Sequence, residues 1–407
     1  MRKELFAHTE RSRNMISEKC YELGSRSSII REIFSYGLKR KAEAGADKVY
    51  DFSLGNPSIP APESVKKAIL ELMEQPPEEV HAYSPAPGDA RVRGVIAESL
   101  NRRFEEDFTA ENIFMTCGAA ASLNICIKAL GNPGDVFITF APFFPEYRCW
   151  VEGIGAKLEV IPPHLPDFQI DLEALEKAVT PKTKGVIINS PNNPSGVVYT
   201  EEVLKGLTGI LKKKSEAYGA PIYLITDEPY REIVYGNVTV PYLTKYYDNT
   251  LVCYSYSKSL SLPGERIGYI VIPGRLTEYK KISPAIAGAA RVLGFVCAPV
   301  LFQQVAARCV EDTGDIEAYR GNRDLLLDGL TRLGYSCVPP QGAFYLFVKA
   351  LEEDANAFCE RAKKYDLLLV PSDDFGCPGY VRIAYCVAEK TIVNAMPAFE
   401  KLMEEYR

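Results

Sequence analysis

The stretch Ser255-Tyr256-Ser257-Lys258-Ser259-Leu260 decides how the rest of the chain is read. It lies between two apolar runs, 250–254 and 267–272, that both read as buried strands. Arg266 follows Lys258 by eight residues, and Pro263 and Gly264 mark a turn between them. Lysines are usually solvated, but this one sits beside core segments in a tight loop. Hydroxyls and an arginine close to it suit a phosphate. A lysine so placed is suited to covalent chemistry on a carbonyl group.

Working outward, residues 111–272 repeat strand, polar loop and helix. Strands are expected at 113–117, 136–140, 157–161, 185–189, 222–226, 251–254 and 268–272, with helices following the 118–122 turn and at 171–179 and 201–218. This is the signature of an α/β fold with a mostly parallel sheet, whose strands, buried on both faces, read as continuous apolar runs. Polar residues cluster just after strands: Asn193 in Ser190-Pro191-Asn192-Asn193-Pro194-Ser195-Gly196, Asp227 in Asp227-Glu228-Pro229-Tyr230, and Lys258. In open α/β sheets that edge binds ligands. The turn Gly118-Ala119-Ala120-Ala121-Ser122 between a strand and a helix can cradle a phosphate on free backbone N–H groups, although such a turn also serves to pack a helix closely. Phe143 and Phe144 stand in a proline-bounded loop, suited either to packing between domains or to covering a flat ring.

Before this region, helices are expected at 28–46, 62–73 and 90–104 and a short strand at 49–54, while residues 1–24 carry no clear pattern. After it, the character changes. A helix over 276–294 has Pro284 near a boundary. A helix from 300–310 is expected to continue into a long one reaching Gly334. Short strands at 335–338, 343–348 and 380–384, a helix at 355–364 and a closing helix at 391–406 make a second, α+β unit. The expected division is 1–48 as an N-terminal arm and helix partly joining the small domain, 49–299 as the large domain and 300–407 as the small one.

Composition narrows the function. The chain has 407 residues, a net charge of -6 and 25% charged residues of mixed sign, without the basic surplus or stripe of a nucleic-acid binder. Eleven cysteines include no Cys-x-x-Cys pair; Cys117, Cys126, Cys253, Cys297 and Cys309 read as reduced core thiols. His8, His81 and His164 are far apart, so no zinc site is expected. The first residues are polar, without a signal-like apolar region, and the apolar runs are far short of a membrane span. A cytoplasmic protein is the expectation.

The serine-lysine loop resembles the cofactor-lysine motif of the fold-type I pyridoxal 5′-phosphate (PLP) enzymes, specifically the class I/II aminotransferases of the aspartate aminotransferase type. The resemblance covers nearly the whole chain, weakest before residue 45, with its elements in family order. It implies a large domain with a mostly parallel sheet and a smaller α+β domain. It implies PLP as cofactor, with pyridoxamine 5′-phosphate as the amino-carrying form. On this resemblance, Lys258 matches the lysine that bonds the aldehyde and then shuttles the proton from the substrate Cα. Asp227 matches the carboxylate on the ring nitrogen, and Tyr230 and Asn193 the donors to the phenolic oxygen. Ser255, Ser257 and Arg266 match phosphate ligands, with Gly118, Ala119 and Ala120 as the phosphate turn. Tyr83 matches a tyrosine given to the phosphate by the second subunit of a homodimer. Phe144 matches the ring stacked on the cofactor, with Phe143 beside it as the alternative. Arg382, in Val381-Arg382-Ile383-Ala384, matches the grip on the substrate α-carboxylate, and Gly55 a backbone position near it. Two departures stand out: many relatives have a hydroxyl residue where this chain has Ala119 and Ala120, and a tyrosine or tryptophan where it has Phe144.

The implied reaction moves an amino group from an L-amino acid to a 2-oxo acid such as 2-oxoglutarate in two half-reactions. Aspartate and glutamate would need a second cation, for which Arg26, Arg31 and Arg291 are candidates. Tyr36 and Phe34, if near the site, would suit an apolar or aromatic substrate. The same core residues also serve carbon-sulfur lyases, racemases and decarboxylases. A non-catalytic regulatory module is disfavoured, because no helix-turn-helix domain fits before residue 50.

Overall fold

The structure, a computed structural model, describes residues 16–25 and 29–407. Its central sheet has seven strands in the spatial order Ile113–Thr116, Gly268–Val271, Thr250–Ser255, Tyr223–Asp227, Thr183–Asn189, Val136–Phe140 and Lys157–Ile161. From Thr250–Ser255 to Lys157–Ile161 all neighbours are parallel, whereas Gly268–Val271 runs antiparallel to both of its neighbours. The expected mostly parallel sheet is therefore present, with an antiparallel edge. Every residue of Tyr223–Asp227 and Thr250–Ser255 is buried. Alternation explains it: Ile225 packs with Ile127 and Cys126 on one face, while Leu224 packs with Leu204 and Leu211 on the other. Helices cover both faces of the central strands, while the edge strand Lys157–Ile161 keeps Lys157 exposed.

A second layer is built on a four-stranded antiparallel sheet, ordered Val370–Pro371, Tyr380–Ala384, Tyr345–Lys349 and Cys337–Val338. Helices Ile316–Leu333 and Glu389–Glu404 supply Leu326, Leu330, Ile392 and Phe399 to its core. Tyr50–Asp51 pairs in parallel with Leu367–Leu368, which ties the start of the chain to this layer. Backbone bonds from Phe52 to Leu368 and from Ala384 to Phe52 extend the tie toward Ser53, Leu54 and Gly55.

Several expectations need correction. The helix beginning at Val300 does not run on to Gly334. It ends at Arg308, and a new helix starts at Ile316, where Asp315 caps the N-terminus by accepting from Ala318 N. Gly314 N donates to Ser259 O in between, so the break fastens this segment to the serine-lysine loop. Pro284 lies inside helix Tyr279–Val292 rather than at its edge. It and Lys280, whose carbonyl loses its donor, are both exposed, so water can satisfy that oxygen. Strand 49–54 shrinks to two residues. Helix Glu146–Gly153 and the strands Leu367–Leu368 and Val370–Pro371 were not expected, being too short for periodicity to show. Cys126, Cys253 and Cys309 are buried free thiols, but Cys117 and Cys297 are only half-buried. Among the described residues no helix is long and apolar enough to cross a membrane, and no cluster of His, Cys, Asp and Glu could hold a metal ion.

Candidate active site

Three adjacent parallel strands end side by side at Asn189, Asp227 and Ser255. Asn189 organises the edge: its Nδ2 donates to Asp227 O at 2.8 Å, and its Oδ1 accepts from Asn193 N at 2.6 Å. The loop carrying Asn193 is thereby pinned to the strand that ends in Asp227. Over this edge opens a cavity of about 350 Å³ whose walls include Lys258, Asp227, Asn193, Tyr230, Arg266 and Arg382. Gly55, Ser255, Ser257, Ala119, Ala120 and Phe144 also line it. Residues hundreds of positions apart thus converge on one space.

Ser255 caps the single turn Tyr256–Ser259 by accepting from Ser257 N at 3.2 Å, and the two hydroxyls share a 2.7 Å hydrogen bond. That turn aims Lys258 across the cavity, where its Nζ donates to Gly55 O at 2.7 Å. Burial, with the like charges of Arg382 and Arg266, pulls the Lys258 amine down to about 8. Glycine at 55 leaves room for Tyr345: a Cβ there would run into Tyr345 Oη and force that side chain to shift.

Asp227 is buried, and burial pushes its carboxyl up to about 7; Glu228 adds to this, while a hydrogen bond from Tyr147 opposes it. Tyr147 Oη donates to Asp227 Oδ2 at 2.6 Å, and Oδ1 is buried without a hydrogen-bond partner. A half-satisfied buried carboxylate is costly and calls for a donor from outside the chain. A protonated ring nitrogen is such a donor, so the site fits the cofactor that the serine-lysine loop implies.

Arg382 is buried in strand Tyr380–Ala384. Its Nη1 donates to Asn193 Oδ1 at 3.2 Å and its Nη2 to Ser53 O at 2.6 Å, and its guanidinium lies over the rings of Tyr345 at 4.6 Å and Phe375 at 5.3 Å. Its Nε is buried and has no partner. Tyr230 Oη and Tyr345 Oη share a 3.0 Å hydrogen bond.

At the other end, Gly118 (φ 84°) precedes helix Ala119–Leu130 with no side-chain cap, leaving the first N–H groups available. A Cβ on Gly118 would come within 3.0 Å of Arg266 Nη2, so glycine lets the guanidinium approach the helix start. Arg266 itself has φ 52° and donates to Pro263 O at 2.8 Å. Hydroxyls, guanidinium and helix terminus gather at this end of the cavity, an arrangement suited to an anion.

The remaining candidates divide. Phe144 lines the cavity, whereas Phe143 is buried and packs toward Tyr147. Tyr83 is 96% exposed and does not line the cavity of its own chain. Arg31 lines the cavity and Arg291 does not; Arg26 lies outside the described residues. Tyr36 and Phe34 do not line it, and the nearby helix contributes Ile30 instead. Sequence reasoning missed Tyr147, Tyr345, Asn189, Trp150 and Ser53. A hint for Tyr147 was available in its spacing of three from Phe144.

The model of the "Aminotransferase class I and II" family matches residues 47–399. Aspartate aminotransferase of Thermotoga maritima is 28% identical over 96% of this chain and 99% of that protein. The aspartate/prephenate aminotransferase of Thermus thermophilus is 30% identical over 86% of this chain and 89% of its own length. An aminotransferase of known structure from Eubacterium rectale superposes with a TM-score of 0.94 at 56% identity, covering 97% of this chain and 99% of that one. The chain belongs to the class I and II aminotransferase family and is a PLP-dependent aminotransferase.

Proposed function

We propose that this enzyme carries the amino group of an L-amino acid to a 2-oxo acid such as 2-oxoglutarate, with Lys258, Asp227 and Arg382 as the residues on which the reaction turns. The observation that carries the reading is the buried, unpartnered Asp227 Oδ1 on the cavity that Lys258 and Arg382 also face. When bound, PLP supplies an aldehyde for the lysine and an electron-withdrawing ring for the substrate carbon.

The chain's own residues divide the remaining work. Asp227 Oδ1 holds a proton at the ring nitrogen. Arg382 Nε and its guanidinium edge bind the α-carboxylate. Lys258 Nζ would bond the cofactor's aldehyde and, as a free amine, would take the proton from the substrate Cα. Asn193 Oδ1 is engaged by Arg382, which leaves Asn193 Nδ2 to donate to the phenolic oxygen. For Tyr230 Oη to donate there as well, Tyr345 Oη must donate to Tyr230. Gly118, Ala119 and Ala120, with Ser255, Ser257 and Arg266, hold the phosphate, and Phe144 covers the ring. Gly55 O steadies the lysine amine between steps.

The substrate favoured here is aspartate or glutamate, because Arg31 lines the cavity and several relatives carry the name aspartate aminotransferase. Ile30, Leu123 and Trp150 on the same walls support an apolar or aromatic amino acid as the second reading. We place the active unit as a cytoplasmic homodimer, in which the exposed Tyr83 reaches the partner's phosphate cradle, and divide the chain at residues 48 and 299. Borohydride reduction of the loaded enzyme followed by peptide mass mapping tests the lysine. The cofactor mass is expected on the peptide containing Lys258; its recovery on another lysine contradicts the assignment.

A further inference from the structure

The two oxygens of Asp227 have different fates. Oδ2 accepts from the Tyr147 hydroxyl at 2.6 Å, and Oδ1 is buried with no partner. Among the described residues no other side chain donates to this carboxylate. The neighbouring Glu228 cannot share the task, since it is an acceptor already bonded by Thr226 and Arg231. Tyr147 is itself 1% exposed, on helix Glu146–Gly153, and its ring is fixed by Phe144 at 5.8 Å and Trp150 at 6.1 Å. One turn of chain therefore delivers an aromatic face to the cavity at Phe144 and a fixed hydroxyl to Asp227 at Tyr147.

We propose that Tyr147 is a positioning residue, whose hydroxyl favours the charged form of Asp227 and turns the carboxylate so that Oδ1 meets the ring nitrogen of PLP. The inference rests on the reading of Asp227 given above. Two physical facts support it. A hydrogen bond to an ionised acceptor is roughly twice as strong as one between neutral groups, so the donor favours the charged carboxylate. Burial also suppresses ionisation of the phenol, so Tyr147 remains a donor and brings no negative charge of its own. Because one oxygen is occupied and the ring is wedged between aromatics, the carboxylate plane is set before any ligand arrives. That is preorganisation, which lowers the cost of binding.

Tyr147→Phe removes one oxygen and keeps the packed ring. The apo protein is titrated with PLP and with a ring analogue that has C–H in place of the ring nitrogen. Both ligands carry the aldehyde and phosphate, so bonding to Lys258 and to the cradle is common to both. Wild type is expected to bind PLP the more tightly. Tyr147→Phe is expected to weaken PLP about tenfold while leaving the analogue unchanged. With ring-labelled cofactor, the ¹⁵N signal is expected at the protonated position in wild type and displaced toward the unprotonated one in the variant. Equal weakening of both ligands would make Tyr147 a packing residue and overturn the proposal, as would unchanged affinities with an unmoved ¹⁵N signal. If wild type fails to distinguish the two ligands, the Asp227 reading itself falls and takes this inference with it; that outcome is visible before any substitution is made.

Discussion

Lys258 Nζ donates to the carbonyl oxygen of Gly55 across 203 positions of sequence, at 2.7 Å. One partner stands in the turn after a central-sheet strand and the other in a segment tied to the C-terminal layer, so the bond links the two layers across the cavity that both residues line. Gly55→Ala would force a Cβ against Tyr345 Oη. The expected result is a loss of about 1–3 kcal/mol of stability, with a weaker grip on every amino acid, as Tyr345 shifts away from Tyr230 and Arg382. Adding Tyr345→Phe removes the closest clash and should recover part of the stability. Denaturant unfolding of the single and double variants checks this.

The depressed Lys258 amine gives a pH prediction. At about 8, roughly a tenth of the amine is neutral at pH 7, against less than about a thousandth for an ordinary lysine. The rate of PLP capture by the apo protein should rise with pH around a midpoint near 8. Arg382→Met removes a nearby like charge and should move that midpoint upward. Stopped-flow absorbance across a pH series measures both.

Asp227 makes the empty site unstable. Its folded-state carboxyl, near 7, lies above the unfolded value near 3.8. Between those values the folded protein holds more protons than the unfolded one, so stability falls as pH rises from about 4 to about 7. Asp227→Asn removes that slope. The apo variant should be more stable than apo wild type at pH 8 by about 2–4 kcal/mol, yet should bind PLP more weakly. Unfolding curves at several pH values, with and without PLP, separate the two effects.

Arg382→Lys keeps the charge but loses the planar fork whose separate nitrogens reach Asn193, Ser53 and a carboxylate at once. For every amino acid substrate kcat/KM should fall about 100- to 1000-fold, mostly through KM. Steady-state kinetics with one dicarboxylic and one apolar donor would show parallel losses.

Arg31 should behave differently. Arg31→Met is expected to lower kcat/KM for aspartate and glutamate at least about tenfold and to leave an apolar donor nearly unchanged. Equal losses for both donors would place Arg31 in support of the fold instead.

Much of this arrangement was legible in the sequence because parallel buried strands leave continuous apolar runs, and their ends carry Asn193, Asp227 and Lys258 as conspicuous polar interruptions. The helix of Tyr147 was not, since a proline-bounded run of eight residues shows little periodicity. Tyr345 was hidden for another reason: in a buried strand an aromatic residue reads as core, and only the fold reveals that its hydroxyl reaches Tyr230. The break between Val300–Arg308 and Ile316–Leu333 escaped because its apolar spacing resumes after the interruption, while the bond from Gly314 to Ser259 is a tertiary fact. Arg31 could only be one basic residue among several until the cavity was drawn.

The most direct measurement is the absorbance spectrum of the PLP-loaded enzyme while single substrates are added. With L-glutamate or L-aspartate alone, the long-wavelength band of the bound cofactor should fall to the shorter-wavelength band of the pyridoxamine form, and 2-oxoglutarate alone should restore it. A band that persists while pyruvate or another product accumulates without any 2-oxo acid acceptor would contradict transamination and point to a lyase or racemase on the same residues.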